Sequence, residues 1–284
     1  MVLIKIFKAL RLAEVLLMTG FILIGAVFAI PNNPQILWFE LISVSIASYL
    51  LMLSVYTANS LLGYELDKKN NRLKSLNFIS KPIYTISTII FYGVSLIICI
   101  FVKPESVILH FTIFVLWFLY GMPGFGKHLP IVGTIIHILV AVVQFNFAYM
   151  FIAPISEVSV FISIFFALLI SGGHLHHEII DYEADKLNKI KTSTVKWGVK
   201  NTKYFSFSIF VIAHSYWCLL LITGYIELFW FLCFLGGFII HLGMFISKGT
   251  KFENNYQARL KYRLIYRIVY FICGLIVALQ IMFF

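Results

Sequence analysis

The chain has 284 residues, 61% of them hydrophobic and only 12% charged, with a mean hydropathy of +0.95. A water-soluble globule runs near half apolar and a quarter charged, so this composition excludes one and points to a protein that crosses the bilayer repeatedly. The net charge of +10 suits an anionic partner, and the placement of the charges decides which kind.

Nine apolar runs follow in chain order, at approximately 12–30, 36–62, 83–102, 106–121, 131–152, 158–178, 203–223, 226–246 and 264–284. Most approach the roughly 20 residues that a helix needs to span hydrocarbon. The first is expected to be a span and not a cleavable leader, because eight similar runs succeed it. No composition break or low-complexity linker divides them. One all-α integral membrane domain over residues 1–284 is expected.

With the N-terminus in the cytoplasm, every one of the 22 Lys and Arg residues except Lys103 falls on a cytoplasmic segment. Such asymmetry is what orients membrane helices. The basic excess therefore sets topology and fits lipid headgroups or an anionic substrate. No nucleic-acid partner is expected. The outer connections, such as Pro31–Pro34 and Pro154–Glu157, are short, while the inner ones hold nearly all the polar residues. The working face is thus expected to be cytoplasmic. Cys99, Cys218, Cys233 and Cys273 lie within spans, show no metal-ligand spacing and read as small buried hydrophobes.

The second run ends in Asn59-Ser-Leu-Leu-Gly63-Tyr-Glu65-Leu-Asp67-Lys68-Lys-Asn-Asn-Arg72. Asn59, Gly63 and Asp67 share a helical face, offering a carbonyl, empty space and a carboxylate. Arg72 and Lys81 follow as candidate phosphate donors. The fourth run leads into Tyr120-Gly-Met-Pro123-Gly-Phe-Gly-Lys127, where Lys127 is the only Lys or Arg of its connection. It is either a topology anchor or a ligand group.

The sixth run ends in His177-Glu178-Ile-Ile-Asp181-Tyr-Glu183-Ala-Asp185-Lys186, and Lys191 follows. It echoes the end of the second run, through (Gly or Asp)-Tyr-Glu-x-Asp-Lys-x-Asn. The echo suggests a pseudo-symmetric bundle with two facing polar helix ends. Asp181 and Asp185 stand one turn apart on one face. Two carboxylates, completed by water and phosphate oxygens, suit Mg2+. The plainer alternative is a solvated helix end whose acids pair with Lys186 and Lys189. His174, His176, His177 and Glu178 resemble a transition-metal cluster, but His110, His128, His137, His214 and His241 are scattered singly. Polar contacts within a substrate cavity are the preferred reading.

Together these features resemble the UbiA superfamily of intramembrane prenyltransferases, over roughly residues 12–284. That family carries Asn-x3-Asp-x3-Asp and Asp-x3-Asp at cytoplasmic helix ends. Asp181 and Asp185 match the second motif; Asn59, Asp67 and Arg72 match the first and its following Arg. Tyr120, Pro123 and Lys127 match a Tyr-x2-Pro-x3-Lys loop; Lys191-Thr192 and Gly198 match downstream positions. Two departures stand out. Gly63 replaces the middle Asp, as in a terpene-cyclase branch of the superfamily, and His177-Glu178 replaces Asn-Asp.

The resemblance implies nine transmembrane helices around a central cavity open to the cytoplasmic side, Mg2+ as cofactor and a prenyl diphosphate of C15–C20 as substrate. Asn59, Asp67, Asp181 and Asp185 would hold metal; Arg72, Tyr120, Lys127 and Lys191 would bind diphosphate; Gly63, His177 and Glu178 would line the pocket. The reaction would be ionisation followed by intramolecular cyclisation, or alternatively transfer to an aromatic or lipid acceptor. A third reading, from another class, is a lipid-binding or transport protein with a degenerate site. A bacterial inner membrane is the expected location.

Overall fold

The structure, a computed structural model, describes residues 9–32, 38–67, 79–248 and 255–283. Among these residues nine helices are long and apolar enough to cross a membrane. Their α-helical parts are α1 Leu12–Ala29, α2 Trp38–Leu62, α3 Lys81–Val102, α4 Val107–Gly121, α5 Val132–Ile152, α6 Glu157–Leu187, α7 Ser193–Ile222, α8 Leu228–Lys248 and α9 Tyr256–Phe283, the fourth span running from Pro104 to His128 through short 3-10 turns on either side of α4. Large apolar side chains such as Phe101, Ile108 and Phe271 point outward, a surface that fits hydrocarbon and not water.

The helices begin where the sequence supplies start signals. Pro82 occupies the first turn of α3 after Ser80. Ser156 and Ser159 form a reciprocal capping box at the start of α6. Three helices extend well beyond their apolar runs: α6 reaches Leu187, α7 begins at Ser193 and α9 begins at Tyr256. Hydropathy marks only the part in hydrocarbon. The added turns are amphipathic and carry the polar groups.

The chain divides into two compact units, residues 1–128 with 143–155 and residues 129–142 with 156–284. In the first, α2 packs against α1, α3 and α4. Small and hydroxyl side chains let these helices approach and bond across one another. Ser95 Oγ donates to the Ala47 carbonyl at 2.7 Å, His110 Nε2 lies 2.9 Å from that same hydroxyl, and Thr88 donates to Thr57 at 2.9 Å.

In the second unit α6 packs on α7 and α9, and α8 packs on α7 and α9. Ser206 Oγ donates to the Gly172 carbonyl at 2.8 Å, and Phe210 presses against Gly172. The core here is unusually polar. His241 Nε2 is 2.7 Å from Tyr262 Oη, inside a cluster with Phe210, Tyr266 and Tyr270. Arg259, itself buried, donates to the Ile179 carbonyl of α6 at 3.3 Å.

Candidate functional site

In the first unit the candidate residues lie at the ends of α2 and α4. α2 stops at Leu62, Gly63 makes a turn, and Tyr64–Asp67 resumes as one helical turn. The Gly63 N–H still bonds the Asn59 carbonyl at 2.9 Å. Asn59 and Gly63 thus keep helical register across the break. Gly63 is buried, and no carboxylate occupies this step of the face. The Asp67 side chain and the whole of Arg72 lie outside the described residues.

Asn59 Oδ1 is buried, has no hydrogen-bond partner among the described residues and packs against Gly121 of α4. A buried carbonyl oxygen without a donor is costly. Such an oxygen also fits a hard cation, which takes oxygen ligands.

Tyr120 stands at the end of α4 and packs edge-on against Trp117. The connection after it folds back through two bonds, Phe125 N–H to the Met122 carbonyl at 3.1 Å and His128 N–H to the Phe125 carbonyl at 2.7 Å. Gly126, at φ 42°, sits where a Cβ would overlap the Leu119 and Tyr120 carbonyls. This tight fold sets Lys127, which is partly exposed. Lys81 is engaged elsewhere: its Nζ pairs with Glu65 at 2.9 Å and lies over the Tyr64 ring.

In the second unit Asp181 and Asp185 both lie on the last turns of α6 and are half-buried. His177 Nε2 is 3.3 Å from Asp181 Oδ2, one turn back. Lys186 Nζ stands over the Tyr182 ring.

The α6 end is closed by its own backbone. Ile190 N–H reaches back to the Asp185 carbonyl at 2.9 Å and Lys189 N–H to Lys186 at 3.2 Å, with Lys189 left-handed at φ 56°. This is a Schellman cap with lysine where glycine is usual. Buried Ile190 completes it and delivers exposed Lys191 directly after. Thr192 then caps α7 by accepting the Val195 N–H at 3.4 Å. Gly198 breaks α7 after its first turn, at φ 80° and ψ 161°, a conformation open essentially to glycine alone.

The UbiA prenyltransferase family model matches residues 18–268. The chain belongs to the UbiA prenyltransferase family. That match runs through both compact units, taking in α2 to α8 in full and parts of α1 and α9. No curated protein matches the chain. Solved structures share the UbiA fold. One is of a digeranylgeranylglyceryl phosphate synthase, 17% identical, covering 98% of each chain with a TM-score of 0.74. Another is a UbiA homologue from Archaeoglobus fulgidus bound to DMAPP and Mg2+, 17% identical, covering 95% of this chain and 99% of that one, TM-score 0.73. A third is an apo UbiA homologue from Aeropyrum pernix K1, 14% identical, with 95% and 99% coverage and a TM-score of 0.71.

As a UbiA-family chain this is an integral membrane protein. Among the described residues no three His, Cys, Asp or Glu side chains form a metal-ligand group. A cation held by Asp181 and Asp185 would need water and substrate oxygens to complete its shell.

Glu178, expected to line the pocket, lies at the contact of α6 with the start of α7. It is 6% exposed, 3.1 Å from His174 Nε2, and accepts the Thr194 N–H at 3.1 Å. The histidines also depart from their scattered sequence positions. His137 stacks on His174 with centroids 3.7 Å apart. His176 and His241 both pack on Tyr262 and Tyr266, and His214 packs on Tyr270. Each contact joins different helices, so no local spacing announces it. Only the i, i+4 pairs His174/Glu178 and His177/Asp181 left a legible signal.

Proposed function

We propose that this protein ionises a prenyl diphosphate of C15–C20 in a Mg2+-dependent step, releases diphosphate and closes the hydrocarbon on itself. The observation that carries the ionisation is the half-buried pair Asp181 and Asp185, one turn apart on a helix end whose cap leads straight to Lys191. The family match supports it, as do the Archaeoglobus homologues bound to DMAPP or GPP with Mg2+.

Asp181 and Asp185 are assigned to one Mg2+, and Asn59 with Asp67 to a second, weaker site. A bound Mg2+ would supply positive charge against the leaving diphosphate. Arg72, Lys127, Lys191 and the Tyr120 hydroxyl donate to those oxygens. The apolar helices hold the prenyl chain away from water, which would otherwise capture the allylic cation. Cyclisation is favoured over transfer by Gly63, which leaves the first motif without its middle carboxylate. The whole chain acts as one domain with its acidic helix ends on the cytoplasmic side, in a bacterial inner membrane.

Incubating the reconstituted protein with farnesyl or geranylgeranyl diphosphate, Mg2+ and no acceptor tests this. Release of diphosphate with a cyclic hydrocarbon or alcohol is expected. Turnover only after adding an aromatic or lipid acceptor would support prenyl transfer, the activity for which the family is named. Unchanged diphosphate release by Asp181→Ala/Asp185→Ala would overturn both readings and favour a lipid-binding or transport role.

A further inference from the structure

The first turn of α7 is a junction of three helices of the second unit. Ser193 Oγ accepts the N–H of Ile131, just before α5, at 3.1 Å. Thr194 gives its N–H to Glu178 Oε2 of α6 at 3.1 Å, with its hydroxyl at 3.5 Å from the same oxygen. The other Glu178 oxygen lies 3.1 Å from His174 Nε2. The His174 ring is in turn covered by His137 of α5, at an interplanar angle of 13°. His137 is fixed by its own Nδ1, 2.8 Å from the Gly133 carbonyl. Ile131 holds φ 68°, a left-handed backbone that a β-branched residue keeps only where its surroundings impose it.

Retaining a carboxylate in such a place requires strong, directed hydrogen bonds, because burial removes its hydration. Oε2 of Glu178 holds the start of α7, and Oε1 faces His174 on α6 itself. Neither is presented to a phosphate, which would repel it. What the bonds hold is specific. Lys191 immediately precedes the capped turn of α7, while Asp181 and Asp185 follow Glu178 on α6.

We infer that Glu178 is a positioning residue of the reaction, clamping the start of α7 to α6 so that Lys191 is set relative to Asp181 and Asp185. His174, braced by His137, orients the clamp. This rests on the proposed ionisation of a prenyl diphosphate. It also explains what a His-Glu pair does in place of Asn-Asp: the acid serves the helix junction, and His177 faces Asp181.

The test compares wild type, Glu178→Gln, Glu178→Ala and Asp181→Ala/Asp185→Ala in lipid nanodiscs. Diphosphate release from farnesyl diphosphate is followed against substrate and Mg2+ concentration. Gln retains an acceptor for the Thr194 N–H, so kcat/KM stays within about threefold of wild type, whereas Glu178→Ala lowers it about thirtyfold and raises both KM and the Mg2+ midpoint. Should Glu178→Ala not fold, Thr194→Pro removes both Thr194 donors to Glu178, the N–H and the hydroxyl, in a first turn where proline is tolerated, and shows the same pattern. Wild-type kinetics in Glu178→Ala or Thr194→Pro, or equal losses in Gln and Ala, overturn the clamp. If the aspartate double variant is then still inactive, the proposed function survives. If that double variant keeps full activity, the proposed function and the clamp fall together.

Discussion

Gly121 of α4 and Asn59 of α2 are packed so closely that a Cβ on residue 121 would overlap Asn59 Oδ1. The glycine is what lets this amide settle at the end of α2. Gly121→Ala must displace the Asn59 side chain or part the helices, at a cost of about 1–3 kcal/mol. The expected result is a lower melting temperature in detergent and a higher Mg2+ requirement for diphosphate release. Unchanged Mg2+ dependence would remove Asn59 from the metal set.

Gly198 turns the first turn of α7 away from the rest of that helix, at φ 80° and ψ 161°. No L-residue adopts this conformation cheaply. Gly198→Ala is expected to destabilise by about 2 kcal/mol or to straighten the helix. Straightening would swing Ser193 and Thr194 off Ile131 and Glu178. A thermal melt reads the first effect, and hydrogen exchange at the Thr194 amide reads the second.

Lys189 stands left-handed at φ 56° in the cap of α6, while the matching position at the end of α7 is Gly224, at φ 77°. Gly224 closes that end with the same pair of bonds, Gly224 N–H to Leu221 and Tyr225 N–H to Leu220. Lys189→Gly is therefore expected to stabilise the protein by about 0.5–1 kcal/mol, the left-handed strain relieved less the added backbone entropy of glycine. Its diphosphate release should match wild type. Destabilisation in a melt would show that the lysine side chain earns its place through charge.

Gly63 leaves the first acidic motif one charge short. Gly63→Asp adds a carboxylate one turn after Asn59. After stripping with EDTA, the variant should recover activity at about tenfold lower Mg2+ than wild type, or about 1.4 kcal/mol of added ion binding. Product analysis of the same samples should show a smaller cyclic fraction. An unmoved Mg2+ curve would separate Gly63 from the metal site.

The helix ends show how far hydropathy alone reaches. The run at 158–178 predicted α6, yet the helix continues to Leu187 and carries Asp181 and Asp185 on regular turns. Their i, i+4 spacing was legible because it follows from helix geometry alone. Glu178, adjacent to His177 in sequence, could not be separated from it by spacing. One faces Asp181 and the other is buried against Thr194. Adjacent residues on a helix point about 100° apart, and only the neighbouring helix decides which of them is covered.

Composition by itself determined that this chain is a membrane protein with about nine apolar spans. Those properties sum residue by residue and need no partner. The tertiary structure alone decided that Asn59 rests on Gly121, that His137 covers His174 and that Glu178 ties α6 to α7. Each joins groups from different helices, and a hydrogen bond or ring contact is set by distance in space, which separation along the chain does not encode.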